Sequence, residues 1–209
     1  MCCRYFIDDK ADELLPYFEE AESSSLAEKM TAKLSRPLVT SGEVRPTDMV
    51  PVLARGRSGG LRCFPMIWGF RQSGRAVFNA RSETAAEKPL FRDGWKTRRC
   101  IVPASCFFEW GPPPSPEEGA VKRVKYAVQP AGASATWLAG LYRLEEEGGL
   151  TFPVFTVLTK DAAGRMSDIH ERMPVMLPGE MIGSWTDPGE DPAKLLRHAV
   201  KDVIAEAAG

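Results

Sequence analysis

The 209-residue chain has little histidine, few cysteines and no long apolar run, and each shortage argues against a class of function. With two histidines and no Cys-x-x-Cys pair, a zinc knuckle is not expected. Five cysteines are an odd number, so a disulfide framework is not expected either, and a reducing cytoplasm fits best, with the nucleoid as a place of work if the source is bacterial. No apolar stretch approaches the roughly 20 residues a membrane helix needs, and the first residues are acidic where a secretory leader would be basic and then apolar. The sequence has no phosphate-cradling glycine loop, serine-triad motif, metal-ligand spacing or internal repeat. No cofactor, metal or membrane partner is expected.

What is present describes one ordinary globular domain: 44% hydrophobic and 26% charged residues. The net charge of −1 conceals a strong division. Residues 1–28 carry 2 basic and 8 acidic side chains, residues 29–99 carry 15 and 5, and residues 100–209 carry 10 and 15. Arginine dominates the middle third, at Arg36, Arg45, Arg55, Arg57, Arg62, Arg71, Arg75, Arg81, Arg92, Arg98 and Arg99. Guanidinium forks match phosphate oxygens, which points to a polyanion partner such as nucleic acid. A solvated basic face neutralised by acidic segments elsewhere gives the same counts.

Short runs rich in β-branched, aromatic and aliphatic residues dominate the pattern: Cys3–Ile7, Met49–Ala54, Leu61–Trp68, Ala76–Ala80, Cys100–Trp110, Val124–Gln129, Thr136–Tyr142 and Phe152–Thr159. Gly111-Pro112-Pro113-Pro114-Ser115-Pro116 reads as an exposed loop between two of them. Helical spacing occurs over Ala11–Glu20 and Ser24–Leu34, and Ser82 is placed to cap a helix over Ser82–Phe91. Asp191-Pro192 opens a closing helix over 191–207, with Leu195, Leu196, Ala199, Val200, Val203 and Ile204 as its apolar stripe. The expected architecture is α+β: a single domain around a curved, mostly antiparallel sheet or barrel with a few peripheral helices.

Chemistry is concentrated at four places. The chain begins Met1-Cys2-Cys3-Arg4. Cleavage of Met1 leaves Cys2 with an α-amine of pKa about 8 beside a thiol of about 8.5, so both are partly nucleophilic at neutral pH. Such a pair closes an aldehyde into a thiazolidine, or it acts as an N-terminal nucleophile whose amine serves as base for its own thiol. Glu109 ends the apolar run Cys106-Phe107-Phe108-Glu109-Trp110, where a partly desolvated carboxylate suits proton transfer, although a strand-end glutamate facing water fits the same pattern. His170 lies in a polar loop with Asp168 and Glu171, either catalytic or merely solvated, whereas His198 reads as a surface residue. Asn79-Ala80-Arg81-Ser82-Glu83-Thr84 joins a strand to a helix; Asn79 is suited to orient an amine or sugar oxygen and Arg81 to hold a phosphate, or the segment is an ordinary turn.

Taken together and in order, Met1-Cys2 with Arg4, Asn79–Thr84, Cys106–Trp110 and Ile169-His170-Glu171-Arg172-Met173-Pro174 resemble the SOS response-associated peptidase (SRAP) family of abasic-site sensors. Val44-Arg45-Pro46, Trp68-Gly69 and Thr156-Val157-Leu158-Thr159 resemble it too, so the likeness spans most of residues 1–178. The resemblance implies that Met1 is removed, by the protein itself, and that Cys2 then forms a thiazolidine crosslink with the ring-opened sugar of an abasic site in single-stranded DNA. It implies that Asn79 holds the sugar or the Cys2 backbone, that Glu109 and His170 move protons, and that Arg4 and Arg81 contact flanking phosphates. Weak lyase activity and a monomer are further expectations. Three features depart from the family pattern: Cys3 where glycine is common, Glu43 where asparagine is common, and a short stretch between Trp68 and Asn79 without paired tryptophans. Two other readings stand beside this one, a Cys2 amidohydrolase of the glutaminase kind and a nucleic-acid-binding protein that forms no covalent bond.

Overall fold

The computed structural model describes residues 3–113 and 123–208. The chain starts with β1 (Arg4–Ile7), α1 (Leu15–Glu22), α2 (Ser25–Leu34) and β2 (Gly42–Val44). It continues with β3 (Met49–Arg55), β4 (Leu61–Trp68), β5 (Phe70–Gln72), β6 (Arg75–Val77), β7 (Asn79–Arg81), α3 (Ser82–Ala85) and α4 (Arg92–Thr97). Next come β8 (Arg99–Ala104), β9 (Cys106–Gly111), β10 (Val124–Pro130), β11 (Thr136–Glu147) and β12 (Leu150–Asp161). The last part holds β13 (Arg172–Pro174), β14 (Met176–Leu177), α5 (Ile182–Thr186), α6 (Pro192–Leu195) and β15 (Val203–Ala207).

Five of these strands close a ring. β12 lies parallel to β4, with Val154 opposite Ile67 and Phe155 opposite Trp68. Antiparallel pairings then run from β4 to β3, β3 to β8, β8 to β11 and β11 back to β12. Closure leaves no open edge within the ring. Six successive residues of β3, Met49–Ala54, are buried, because both its faces are covered, the outer one in part by α1. α1 and α2 lay Phe18, Ala21, Ala27 and Met30 against this wall, and Ser24 starts α2 by accepting from the Ala27 N–H at 3.1 Å. Pro51 and Pro65 face each other across β3 and β4, beyond the residues through which those strands pair with β8 and β12. Their missing N–H groups therefore break no rung on the outer side.

The second layer is a five-stranded sheet in the order β15-β10-β9-β1-β2. One chain segment builds both layers. The apolar run expected as a single strand over Cys100–Trp110 is two strands, β8 in the barrel and β9 in the second sheet, with the bend at Ser105. Ser105 is tied on every side: its N–H donates to the Phe6 carbonyl at 2.8 Å, its hydroxyl accepts from the Asp8 N–H at 2.9 Å, and its carbonyl accepts from Thr136 Oγ1 at 2.9 Å.

The α+β barrel architecture agrees with the sequence expectation, and two helices differ from it. The closing helix over 191–207 is not formed. Asp191 caps a single turn, Pro192–Leu195, a 3-10 turn follows through His198, and Val203–Ala207 is a strand paired with β10. The apolar residues at 203 to 205 fit an alternation as well as a helical stripe: Val203 and Ala205 are buried while Ile204 is exposed. β-branched Val203 and Ile204 beside the free edge of β10 settle it as strand. The helix expected over Ser82–Phe91 ends at Ala85, and its N-cap position is Arg81, not Ser82. His198 is exposed, as expected. The proline-rich loop lies in part outside the described residues.

Candidate functional site

β1 enters the second sheet between β9 and β2, and its register with β9 puts Arg4 opposite Phe108 and Tyr5 opposite Phe107. Glu109 is the residue of β9 that follows Phe108. Glu109 is only 5% exposed, on the face of the sheet turned toward the protein interior with Tyr5, Phe107 and Tyr126. Glu109 is therefore buried, as the sequence suggests, but it lies two residues inside the end of β9 and not at it. Cys2, the expected nucleophile, lies outside the described residues; Cys3 and Arg4 are half-buried.

Asn79 is linked to β1 indirectly, by way of Trp68. The Trp68 ring is fully buried, tilts against Tyr5 of β1 at 5.4 Å, and stacks on Phe155 of β12 at 6.1 Å and 7°. Its Nε1–H donates to the carbonyl of Phe78 at 2.8 Å, which fixes the residue before Asn79. β7 then runs parallel to β12, with Asn79 opposite Val157 and Arg81 opposite Thr159. Arg81 is exposed at the end of this strand, beside a cavity of about 450 Å³ that Asn79, Arg81 and Lys88 help to line. Gly69 makes the turn after Trp68 at φ +126°, where a Cβ would sit 3.1 Å from the Ala76 side chain.

His170 is brought in by a glycine. A Cβ on Gly111, the last residue of β9, would lie 2.8 Å from Ile169 Cγ2, 3.0 Å from its Cα and 3.1 Å from its carbonyl oxygen. Only glycine lets the Ile169-His170 backbone press against the strand that carries Glu109. The imidazole is fixed from its other side: Nδ1 accepts from the Arg172 N–H at 2.9 Å, so the neutral ring carries its proton on Nε2. Arg172 in turn joins two of the motifs. Its buried guanidinium forks onto Glu83 at 2.8 and 2.9 Å, donates to the Thr159 carbonyl at 2.9 Å and also reaches Asp161. The pairing holds the Glu83 carboxyl below its ordinary value and raises that of Arg172. β1 against β9, Trp68, Gly111 and the Arg172–Glu83 fork thus link all four sequence motifs.

The basic third of the chain is more internally compensated than its counts suggest. Arg99 is 2% exposed and belongs to the core, not to a groove. Arg55 pairs with Asp187, Arg62 with Glu20, and Arg71 with Glu145 and Glu147. Arg4 pairs with Glu43 at 2.6 Å, and Lys125 meets the same carboxylate at 2.5 Å. Sequence reasoning missed the Arg172 fork, the contact role of Gly111 and the Glu43 bridge. Gly111 was legible only as the start of a turn, because the neighbour it admits lies 58 residues away. Among the described residues, no group of three or more His, Cys, Asp or Glu is arranged to hold a metal ion. No helix there is long and apolar enough to cross a membrane.

The remaining thiols are unsuited to nucleophilic work. Burial pushes Cys63 up to about 12 and Cys106 up to about 11, and Cys100 higher still. Iodoacetamide at pH 8 is therefore expected to label the folded protein only within its N-terminal peptide. Peptide mapping after unfolding should add Cys63, Cys100 and Cys106; early labelling at any of these three would contradict the burial.

A family model described as SOS response associated peptidase (SRAP) matches residues 1–208. Among curated proteins, the chain is 38% identical over 117 residues to the abasic site processing protein YobE of Bacillus subtilis, covering 55% of this chain and 51% of that one. It is 36% identical over 131 residues to the abasic site processing protein HMCES of Xenopus tropicalis, covering 56% and 39%. The chain thus spans about half the length of the curated relatives it matches, or less. A crystal structure of a Bacteroides thetaiotaomicron protein superposes with a TM-score of 0.76 at 21% identity, covering 100% of this chain and 92% of that one. A Bordetella bronchiseptica protein gives 0.70 at 22%, with both chains fully covered. These two likenesses concern the fold alone.

Proposed function

The chain belongs to the SOS response associated peptidase (SRAP) family, and from that premise we propose that it captures abasic sites in single-stranded DNA through a covalent bond to Cys2. The observation that supports this reading is the buried Glu109 on the strand next to β1, with the segment carrying His170 packed against Gly111 at that strand's end. Trp68 links β1 to the residue before Asn79. Relatives named for abasic-site processing support the substrate class.

The proposed chemistry has three balanced steps. Hydrolysis of the Met1–Cys2 bond consumes one water and frees the Cys2 amine. That amine adds to the C1′ aldehyde of the opened sugar and loses water to form an imine. The thiol then adds across the C=N bond and its proton passes to nitrogen, closing a thiazolidine. Each step needs a proton moved at a fixed place, which is the task assigned to Glu109 and to the Nε2–H of His170. Asn79 orients the amine or the sugar, and Arg4 and Arg81 meet flanking phosphates. An abasic nucleotide in a single strand has no base to unstack and no partner to leave, so its extrusion costs little.

The test is a denaturing gel and an intact mass after incubation with an abasic oligonucleotide. A product at the summed mass of protein without Met1 and DNA, less one water, is expected. Cys2→Ser should lose the thiazolidine and form at most a labile adduct. An equally stable adduct from Cys2→Ser would sink the proposal.

A further inference from the structure

β2, β1, β9 and β10 place Glu43, Arg4, Phe108, Trp110 and Lys125 on one face of the second sheet. Arg4 follows Cys3 and Trp110 follows Glu109, so this row lies on the opposite face of the sheet from Glu109, at the same end of β1 and β9. Its centre is a single carboxylate, which Arg45 also reaches, at 3.4 Å from Oε1. Glu43 Oε1 accepts from Arg4 at 2.6 Å and Oε2 from Lys125 at 2.5 Å. Lys125 stands three strands away, a backbone separation of about 14 Å at normal strand spacing. The two side chains must therefore stretch toward each other across the sheet. The Lys125 ammonium ends up 3.7 Å from the centre of the Phe108 ring, and the Arg4 guanidinium lies 5.5 Å from that of Trp110. All three charged side chains remain partly open to solvent.

Two cations held over two aromatic rings by one anion is an arrangement in which the anion is exchangeable. A backbone phosphate offers the same oxygens to both cations, and its attached bases can stack where the cations now lie. We propose that Glu43 is a built-in competitor for a DNA phosphate: it occupies Arg4 and Lys125, draws Lys125 over Phe108, and must be displaced before a single strand settles on this face. The residue then sets how tightly undamaged single strands are held next to the lesion site, which disfavours idle occupancy. Glu43 compensates one of the two positive charges in the resting protein, so an arriving strand gains less from them in released counterions than it would from two unpaired cations. This inference rests on the single-strand reading above.

The experiment is a salt titration of binding to unmodified oligothymidylate, which offers no aldehyde and so separates binding from capture. Glu43→Gln should bind several-fold more tightly, and its plot of log affinity against log salt should be steeper by about 0.7, the increment for one compensating charge removed. Adding Lys125→Ala should bring the slope back to about that of the parent. Glu206→Gln, which deletes the same charge from exposed strand β15 at the other end of the sheet, should leave the slope unchanged. A thermal melt run alongside shows that each variant is folded. Equal slopes for parent and Glu43→Gln, or an equal gain from Glu206→Gln, would overturn this inference alone. Failure of both parent and Glu43→Gln to bind the strand would overturn the function proposed above and this inference with it.

Discussion

Arg99→Met is expected to destabilise the fold by about 3 kcal/mol or more, the largest stability effect of any single arginine change. The reason is the number of acceptors that one guanidinium serves. Arg99 donates to five backbone carbonyls: Trp185 at 2.6 Å, Trp95 at 2.7 Å, Lys96 at 3.0 Å, Glu190 at 3.0 Å, and Asp187. Two of them belong to α4 and one to α5, whose last carbonyls have no partner within their own short helices. Each buried carbonyl left without a donor costs about 1–3 kcal/mol, and water can reach only some of them. Methionine keeps much of the buried volume, so the loss reports on the hydrogen bonds more than on a cavity. Arg99→Lys should fail to restore the parent's stability, since an ammonium has three donors at a point where the fork spreads five. Urea unfolding checks this: the midpoint should fall sharply with an unchanged slope, and an unfolding free energy within about 0.5 kcal/mol of the parent would refute the argument.

The same residue shows why charge counting was a poor guide to surface. Arg99 contributed to the excess of 15 basic over 5 acidic side chains in residues 29–99, yet it never meets solvent. Burial lowers its proton affinity, while Asp187, Glu190 and Asp191 from the C-terminal third raise it. An acidic segment neutralises a basic one across the fold, an outcome that separate totals for each third cannot reveal. What remains for a polyanion includes exposed Arg57, Arg75, Arg81 and Arg98, and the Arg4–Glu43–Lys125 row on the second sheet.

Legibility followed the range of the interactions that define each element. β4 was readable to the residue, Leu61–Trp68, and α2 nearly so, because their patterns are complete within the segment and a capping serine marks the helix start. The second half of β11 was not readable. Glu145-Glu146-Glu147 looks like a solvated acidic run, and it forms a strand because it pairs with Leu150–Phe152 and because Arg71 and Arg143 bind Glu145. α4 and α5 escaped for a related reason: each is a short helix held by Arg99 more than by any periodicity of its own. In the site, Asn79, Glu109 and His170 were legible as residue types in unusual places. The packing around each was not, since it depends on Trp68 bridging β1 and β12, on the bend at Ser105 that sends β9 into the second sheet, and on Gly111.

That glycine carries the last expected result. Gly111→Ala should slow crosslinking about a hundredfold while leaving a folded protein. The new methyl group would lie 2.8 Å from Ile169 Cγ2, and rotation of Ile169 could relieve that contact, but the distances of 3.0 and 3.1 Å to the Ile169 Cα and carbonyl are to backbone. Either β9 or the segment carrying His170 must move back by several tenths of an ångström. Overpacking of this kind costs about 1–3 kcal/mol, and displacement of a proton-transfer group by up to 1 Å costs about 10²-fold in rate. The predicted signature is specific. Ile169→Ala in the Gly111→Ala background should not restore the rate, because it removes only the side-chain contact. Binding of unmodified single strand should stay near that of the parent, because the Arg4–Glu43–Lys125 row lies on the opposite face of the sheet from Glu109. Single-turnover crosslinking, followed beside strand binding, tests both expectations. Parental crosslinking by Gly111→Ala would show that close approach of His170 to the Glu109 strand is not required for capture.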